Sequence, residues 1–144
     1  MRPQRIGLIA LLTLLATVAI DNVQFIQNPK SKLQSSQVLA KTPDARKAEA
    51  DRLLQQGMHQ YDTNQFEPAL QSFQQALAIY WEISDRQGQA NAFYLLGNAY
   101  LNQGKKQEAI KSYQQSLAIY RGISNYQGEA NVLHNMGYAC NQKC

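Results

Sequence analysis

Cysteine is nearly absent from this sequence: Cys140 and Cys144, both among the last five of 144 residues, are the only two. So few, so placed, cannot make a disulfide framework, and their spacing fits neither a zinc ribbon nor a redox pair. Histidine is as scarce, and neither His59 nor His134 lies in a local nucleophile or metalloprotease pattern. The eight glycines form no phosphate-cradling loop, and four prolines are too few for a collagen-like or proline-rich chain. Excess positive charge is missing where it would matter. The formal net charge is +4, but residues 1–49 hold seven basic residues against three acidic ones, while residues 50–144 hold seven of each. A nucleic-acid site needs a basic stripe on the folded surface, so no nucleic-acid partner is expected.

The basic surplus sits at the start. Arg2 and Arg5 precede an uncharged stretch, Ile6 to Ile20, dominated by Leu, Ile, Ala and Val. As a helix these residues span about 22 Å, short of the roughly 30 Å hydrocarbon core, which favours an export signal over a stable span. Thr17 and Ala19 are small enough for cleavage after Ala19, but no Ala-x-Ala site is present. Residues 1–20 are therefore expected to be a signal peptide or a retained membrane anchor, with the remainder outside the cytoplasm. Residues 21–42, rich in Gln, Ser, Asn and Lys without helical or strand period, are expected to be a flexible linker.

From Ala50 the sequence repeats. Gly57, Gly97 and Gly137 are spaced by 40 residues, as are Gly88 and Gly128, and residues 69–88 match 109–128 at 12 of 20 positions. Such a period marks a solenoid whose units bury their faces against one another. Each unit reads as two helices. Leu53, Gln56, Gly57 and Gln60 share a face of the first helix, matched by Phe93, Leu96, Gly97 and Tyr100. In the second helix Ala69, Phe73, Ala76 and Tyr80 recur as Ala109, Tyr113, Ser116 and Tyr120, at i, i+4, i+7 and i+11. Leu70 and Leu77, with Ile110 and Leu117, stand beside them. Asn64 with Glu67, Ser84 with Gln87 and Ser124 with Gln127 each fit a capping box; Gly104 falls in a turn, Pro68 in a first turn, and Thr42-Pro43 opens the first helix. The small residues explain close approach: Gly57, Gly97 and Gly137 on one helix, Ala69 and Ala109 on its partner.

The run Leu96-Gly97-Asn98-Ala99-Tyr100, followed by Gly104, Ala109, Tyr113 and Ser116, resembles a tetratricopeptide repeat. The unit of 40 residues, with Ile79–Ile83 and Ile119–Ile123 lengthening the second helix, is similar to the long repeats of kinesin light chains and of cyanobacterial proteins of this family. Asp85-Arg86-Gln87-Gly88-Gln89-Ala90-Asn91 is similar to their turns. The resemblance implies an all-α fold, a right-handed α-α superhelix preceded by the signal or anchor segment and the linker. Residues 43–144 would form about two and a half repeats: 50–89, 90–129 and a partial 130–144. Gln56 and Gln60, where unit two has Leu96 and Tyr100, make unit one resemble an N-terminal cap.

The resemblance further implies a concave groove lined by the first helices. Residue by residue this points to Leu54, Met58 and Tyr61; to Asn91, Tyr94, Asn98 and Leu101; and to Asn131, His134, Tyr138 and Asn141. Amides bond an extended backbone in both directions and rings supply area, as a peptide site requires. Tyr94 and Tyr138 remain open between groove lining and padding of the neighbouring helix. The family's carboxylate-clamp form needs basic residues where Leu54 and Met58 stand, so recognition of a free C-terminal carboxylate is not expected. Neither is metal binding or any cofactor: Cys140 and Cys144 share a helix face, with His134 well over 100° around it.

The expected function is therefore a non-catalytic scaffold binding a protein or peptide. An alternative is the N-terminal piece of a longer repeat protein whose effector domain, for example a caspase-like peptidase, lies elsewhere. A partial last unit with an apolar face predicts self-association through that helix or weak stability.

Overall fold

The computed structural model describes residues 42–141. The expected leader, the linker up to residue 41, and residues 142–144 with Cys144 lie outside the described residues. The described part is all helical: α1 (Pro43–Asp62), α2 (Phe66–Glu82), α3 (Arg86–Asn102), α4 (Lys106–Gly122) and α5 (Tyr126–Asn141). Each helix packs on the next in chain order, and α3 also touches both α1 and α5. The helices thus form a repeat-like array in which α1, α3 and α5 lie side by side. The middle three helices have 17 residues each and are separated by turns of three, which accounts for the period of 40. Ile83 and Ile123 stand as the C-caps of α2 and α4, just past the last helical residues.

The turns are built alike, and they differ from the expected capping boxes. Asn64, Ser84 and Ser124 are not N-caps. They and Gly104 hold positive φ, between 56° and 74°, as the left-handed residues that terminate the preceding helix. In every turn the next amide reaches back five residues: Gln65 N–H to Gln60 C=O, Asp85 to Tyr80, Lys105 to Tyr100 and Asn125 to Tyr120, all at 2.8–2.9 Å. That residue also starts the following helix. Asp85 and Asn125 accept a cap bond from the amides of Gly88 and Gly128 at 2.9 and 2.8 Å, whereas Gln65 and Lys105 make no side-chain cap. A three-residue turn leaves no spare position, so the expected caps fall one residue early. Thr42 does cap α1, its hydroxyl accepting from Ala45 N–H with Pro43 just inside.

The core is aromatic and small-residue in alternation. Ala69, Phe73, Ala76 and Tyr80 of α2, and Ala109, Tyr113, Ser116 and Tyr120 of α4, are all buried. Each large side chain so buried contributes about 1.5–3 kcal/mol. Glycine sets the distance between helices, through the rings rather than through Ala69 and Ala109. A Cβ on Gly57 would sit 2.5 Å from the Phe73 ring, and one on Gly97 2.4 Å from that of Tyr113. Gly88 and Gly128 make the same slots for Tyr80 and Tyr120, at 2.3 and 2.5 Å. Gly137 departs from the expectation: a Cβ there meets nothing within 4 Å.

The two ends of the array differ. Where α3 buries Gly88, Ala92, Leu96 and Ala99, α1 exposes Ala48, Arg52, Gln56 and His59. Arg52 is tied to Glu49 and Gln56 along this polar face. α5 instead exposes Leu133 and Gly137.

The glycine series gives opposite expectations for one substitution. Gly97→Ala drives a methyl into a buried ring and should destabilise the array by about 1–3 kcal/mol. Gly137→Ala gains helix propensity in open space and should stabilise by up to about 1 kcal/mol. Urea unfolding of the two variants beside the native chain checks both signs.

Candidate functional site

The first helices carry the expected groove residues, and their polar ends form a ladder of hydrogen bonds. The lowest rung is Asp51, whose carboxylate accepts from the Tyr80 hydroxyl at 2.6 Å. Forty residues on, the Asn91 amide oxygen accepts from the Tyr120 hydroxyl, also at 2.6 Å, and from Gln87. About two turns beyond Asn91 on α3 stands Asn98. Its side-chain oxygen accepts from the Tyr113 hydroxyl at 2.7 Å and from Asn135 Nδ2 at 2.8 Å. The same Asn135 amide donates to the Tyr94 hydroxyl at 3.0 Å. Asn102 donates to the Tyr61 hydroxyl at 2.5 Å and to the Asn98 carbonyl at 2.9 Å. The ladder therefore joins α1 to α3 through Tyr61 and Asn102, and α3 to α5 through Asn98, Tyr94 and Asn135.

The ladder alternates with the core beneath it. In unit one Met58 holds the position of Asn98, and Phe73, a ring with no hydroxyl, holds that of Tyr113. In unit two the Asn98 side-chain oxygen accepts a hydrogen bond from the Tyr113 hydroxyl. The pair changes character together, because a buried hydroxyl without a partner would be costly.

The remaining groove candidates separate into two sets. Leu54 and Leu101 are half-buried and pack into the core clusters, while Tyr61 is half-buried with its ring edge-on to Phe66 at 5.6 Å. Tyr94 is half-buried, its ring leaning on Tyr113 at 6.2 Å while its hydroxyl accepts from Asn135. Tyr138 is 57% exposed and joins none of the core clusters among the described residues. Met58, Asn131, His134 and Asn141 are exposed too, with Asn131 accepting from Gln127. Tyr61, Tyr94 and Asn98 are thus joined in one hydrogen-bonded network through Asn102 and Asn135, Asn91 is bonded apart from it to Tyr120 and Gln87, and His134, Tyr138 and Asn141 are exposed on α5.

Asn135 and Asn102 were not legible as site residues. Position 135 is Gln55 and Leu95 in the other units, so its polarity has no period. Asn102 sits at a helix end, where polar residues are ordinary.

Electrostatics stiffen the first-unit side of this face. Lys47 bridges Asp85 at 2.5 Å and Asp51 at 3.5 Å. The hydrogen bond to Asp85 raises the lysine's pKa above its ordinary value. Burial alone would raise the Asp85 carboxyl, but Lys47 and the Gly88 amide outweigh it and hold the group low. Burial, and then the Asp51 carboxylate, push the Tyr80 hydroxyl far above the ordinary tyrosine value. Burial first and neighbouring tyrosines next do the same to Tyr113. Among the described residues no three His, Cys, Asp or Glu side chains are grouped to hold a metal ion, and no helix is long and apolar enough to cross a membrane.

Helical pairs at a fixed period, joined by three-residue turns with the same backbone hydrogen bond, define a helical-repeat protein. The family model described as tetratricopeptide repeat matches residues 50–122 and, overlapping, 88–143; the chain belongs to the tetratricopeptide-repeat family. No curated protein matches it. Repeats of this family generally mediate protein–protein interaction and typically act as non-catalytic scaffolds.

The buried hydroxyls make stability fall at alkaline pH. A tyrosine whose pKa is raised on folding contributes stability that is complete below the unfolded value of 10.0 and is lost as pH rises toward the folded one. Urea midpoints should hold through neutral pH and fall above about pH 10. Tyr113→Phe, which copies Phe73, should cost about 1 kcal/mol at pH 7 and flatten the alkaline fall.

Proposed function

We propose that this chain is a scaffold that binds a protein or peptide segment along the face of α1, α3 and α5, the inner face of a right-handed superhelix, outside the cytoplasm. The observation that carries this reading is the asparagine and tyrosine ladder. Asn98 has its oxygen committed to Tyr113 and Asn135, which leaves its Nδ2 to donate outward. Tyr94 and Tyr61 each accept one bond within the ladder, so their own protons remain to donate. Neutral donors held beside half-buried rings suit the carbonyls of an extended backbone, with little preference for a charged terminus. Because internal bonds already fix the amides, little side-chain freedom remains to be lost on binding.

No group on this face is arranged as nucleophile and base, so the reading is binding without catalysis. Export or tethering rests on the Arg-flanked apolar leader, followed by a polar linker that would hold the repeats clear of a bilayer.

Two experiments test the reading. Full-length bait with Tyr94→Ala and Asn98→Ala, checked for unchanged helicity, should retain at least about tenfold less of whatever partner the native bait retains from host extract. Equal retention by both baits would remove the groove as the binding surface. For the leader, mass spectrometry of the protein from its native host should find either a mature N-terminus near residue 20 or an intact chain in the membrane fraction. An intact chain in the soluble cytoplasmic fraction would sink the proposed location.

A further inference from the structure

α5 turns outward a face that its counterpart buries. Ala130, Leu133, Gly137 and Cys140 stand forty residues after Ala90, Phe93, Gly97 and Tyr100. In α3 those four are buried or half-buried, with the Tyr113 ring of α4 filling the slot at Gly97. In α5 all four are exposed, Leu133 by 44%, and the slot at Gly137 is open. The four recur at spacings of three, four and three, the seam of a two-helix packing. No Asp, Glu, Lys or Arg occurs from Ala130 to Asn141, so nothing along the seam repels a like surface. This seam is separate from the ladder face, which α5 enters through Asn135.

The opposite end of the array narrows the choice of occupant. α1 presents Arg52, Gln56 and His59, with Arg52 bonded to Glu49 and Gln56, so a second copy cannot stack head-to-tail without burying charge. The seam itself, however, is self-complementary. It holds one bulky residue, Leu133, and one slot, Gly137, four residues apart. In an antiparallel pair centred on Asn135, Leu133 of each copy meets Gly137 of the other and Ala130 meets Cys140. A parallel pair would set leucine against leucine and glycine against glycine, alternately crowding and leaving gaps. Antiparallel is also how α4 runs against α3, so the second α5 takes the place on this helix that α4 takes one repeat earlier.

We propose that two copies of this chain associate through α5, antiparallel about a two-fold axis, with Leu133 of each seated in the Gly137 slot of the other. An isologous contact of one helix per copy closes on itself and lies below the usual area of a stable dimer, so the association is weak and concentration-dependent.

The test uses the full-length chain with Cys144→Ser, leaving Cys140 as its one thiol. Adding Ala130→Cys should yield a covalent dimer on mild oxidation, because residues 130 and 140 face each other, whereas Cys144→Ser alone should yield none. Sedimentation between about 10 and about 500 μM should show a shift from monomer toward dimer. A Cβ at position 137 meets nothing within 4 Å, so Gly137→Gln should leave helicity intact, yet it should abolish both the cross-link and the shift. Three results would overturn the proposal. They are a monomer throughout the range, a Cys140 to Cys140 cross-link marking parallel pairing, and a dimer indifferent to Gly137→Gln, which would place the contact elsewhere.

Discussion

In each helical pair an aromatic ring stands where a glycine's side chain would otherwise be, and the spacing of the helices is set by that fit. Phe73 lies over Gly57 and Tyr113 over Gly97, while Tyr80 and Tyr120 lie over Gly88 and Gly128 of the next unit. Two kinds of slot therefore alternate along the array, one closing a pair and one joining consecutive pairs. A methyl at any of the four would sit about 2.5 Å from a ring carbon, well inside van der Waals contact. Ion pairs also link the helices, such as Arg46 with Glu82 and Arg121 with Glu129, but they are largely exposed. Exposed pairs contribute at most about 1 kcal/mol each, less than a buried ring, so packing rather than charge holds the array.

The same rings tie the core to the outer face. Tyr80 fills a slot in α3 while its hydroxyl reaches Asp51 of α1; Tyr120 fills a slot in α5 while its hydroxyl reaches Asn91 of α3. Each tyrosine thus spans three helices, and the polar groups of the face are positioned by residues whose other end is buried. Change in the core would be felt on the ladder, and a ligand ordering the ladder would in turn favour the packed state.

Neutrality has a structural counterpart. The polar groups exposed along α1, α3 and α5 are mainly amides and hydroxyls, and charge concentrates at the α1 end, where Lys47, Asp51, Asp85, Arg46 and Glu82 bind one another. That end closes the array with a solvated face, while α5 presents an apolar seam. The asymmetry leaves the molecule with one neutral polar face and one apolar edge.

The repeat, its period, the helical pairs and the buried positions of α2 and α4 were all determined by the sequence alone, because glycine and ring positions recur at fixed spacing and helical burial follows a 3.6-residue period. Thr42-Pro43 as the start of α1 was legible for the same local reason. The capping of the later helices was not, since three-residue turns make one residue end a helix and the next begin another, and Asn64, Ser84 and Ser124 took the left-handed position instead. Nor was the ladder. Whether Tyr94 lines a face or pads a helix, and that Asn135 orients Asn98, depend on residues 37 to 41 apart meeting across neighbouring helices. Only tertiary packing decides such pairs, because no local spacing in the chain records which side chains will face one another once the helices lie side by side.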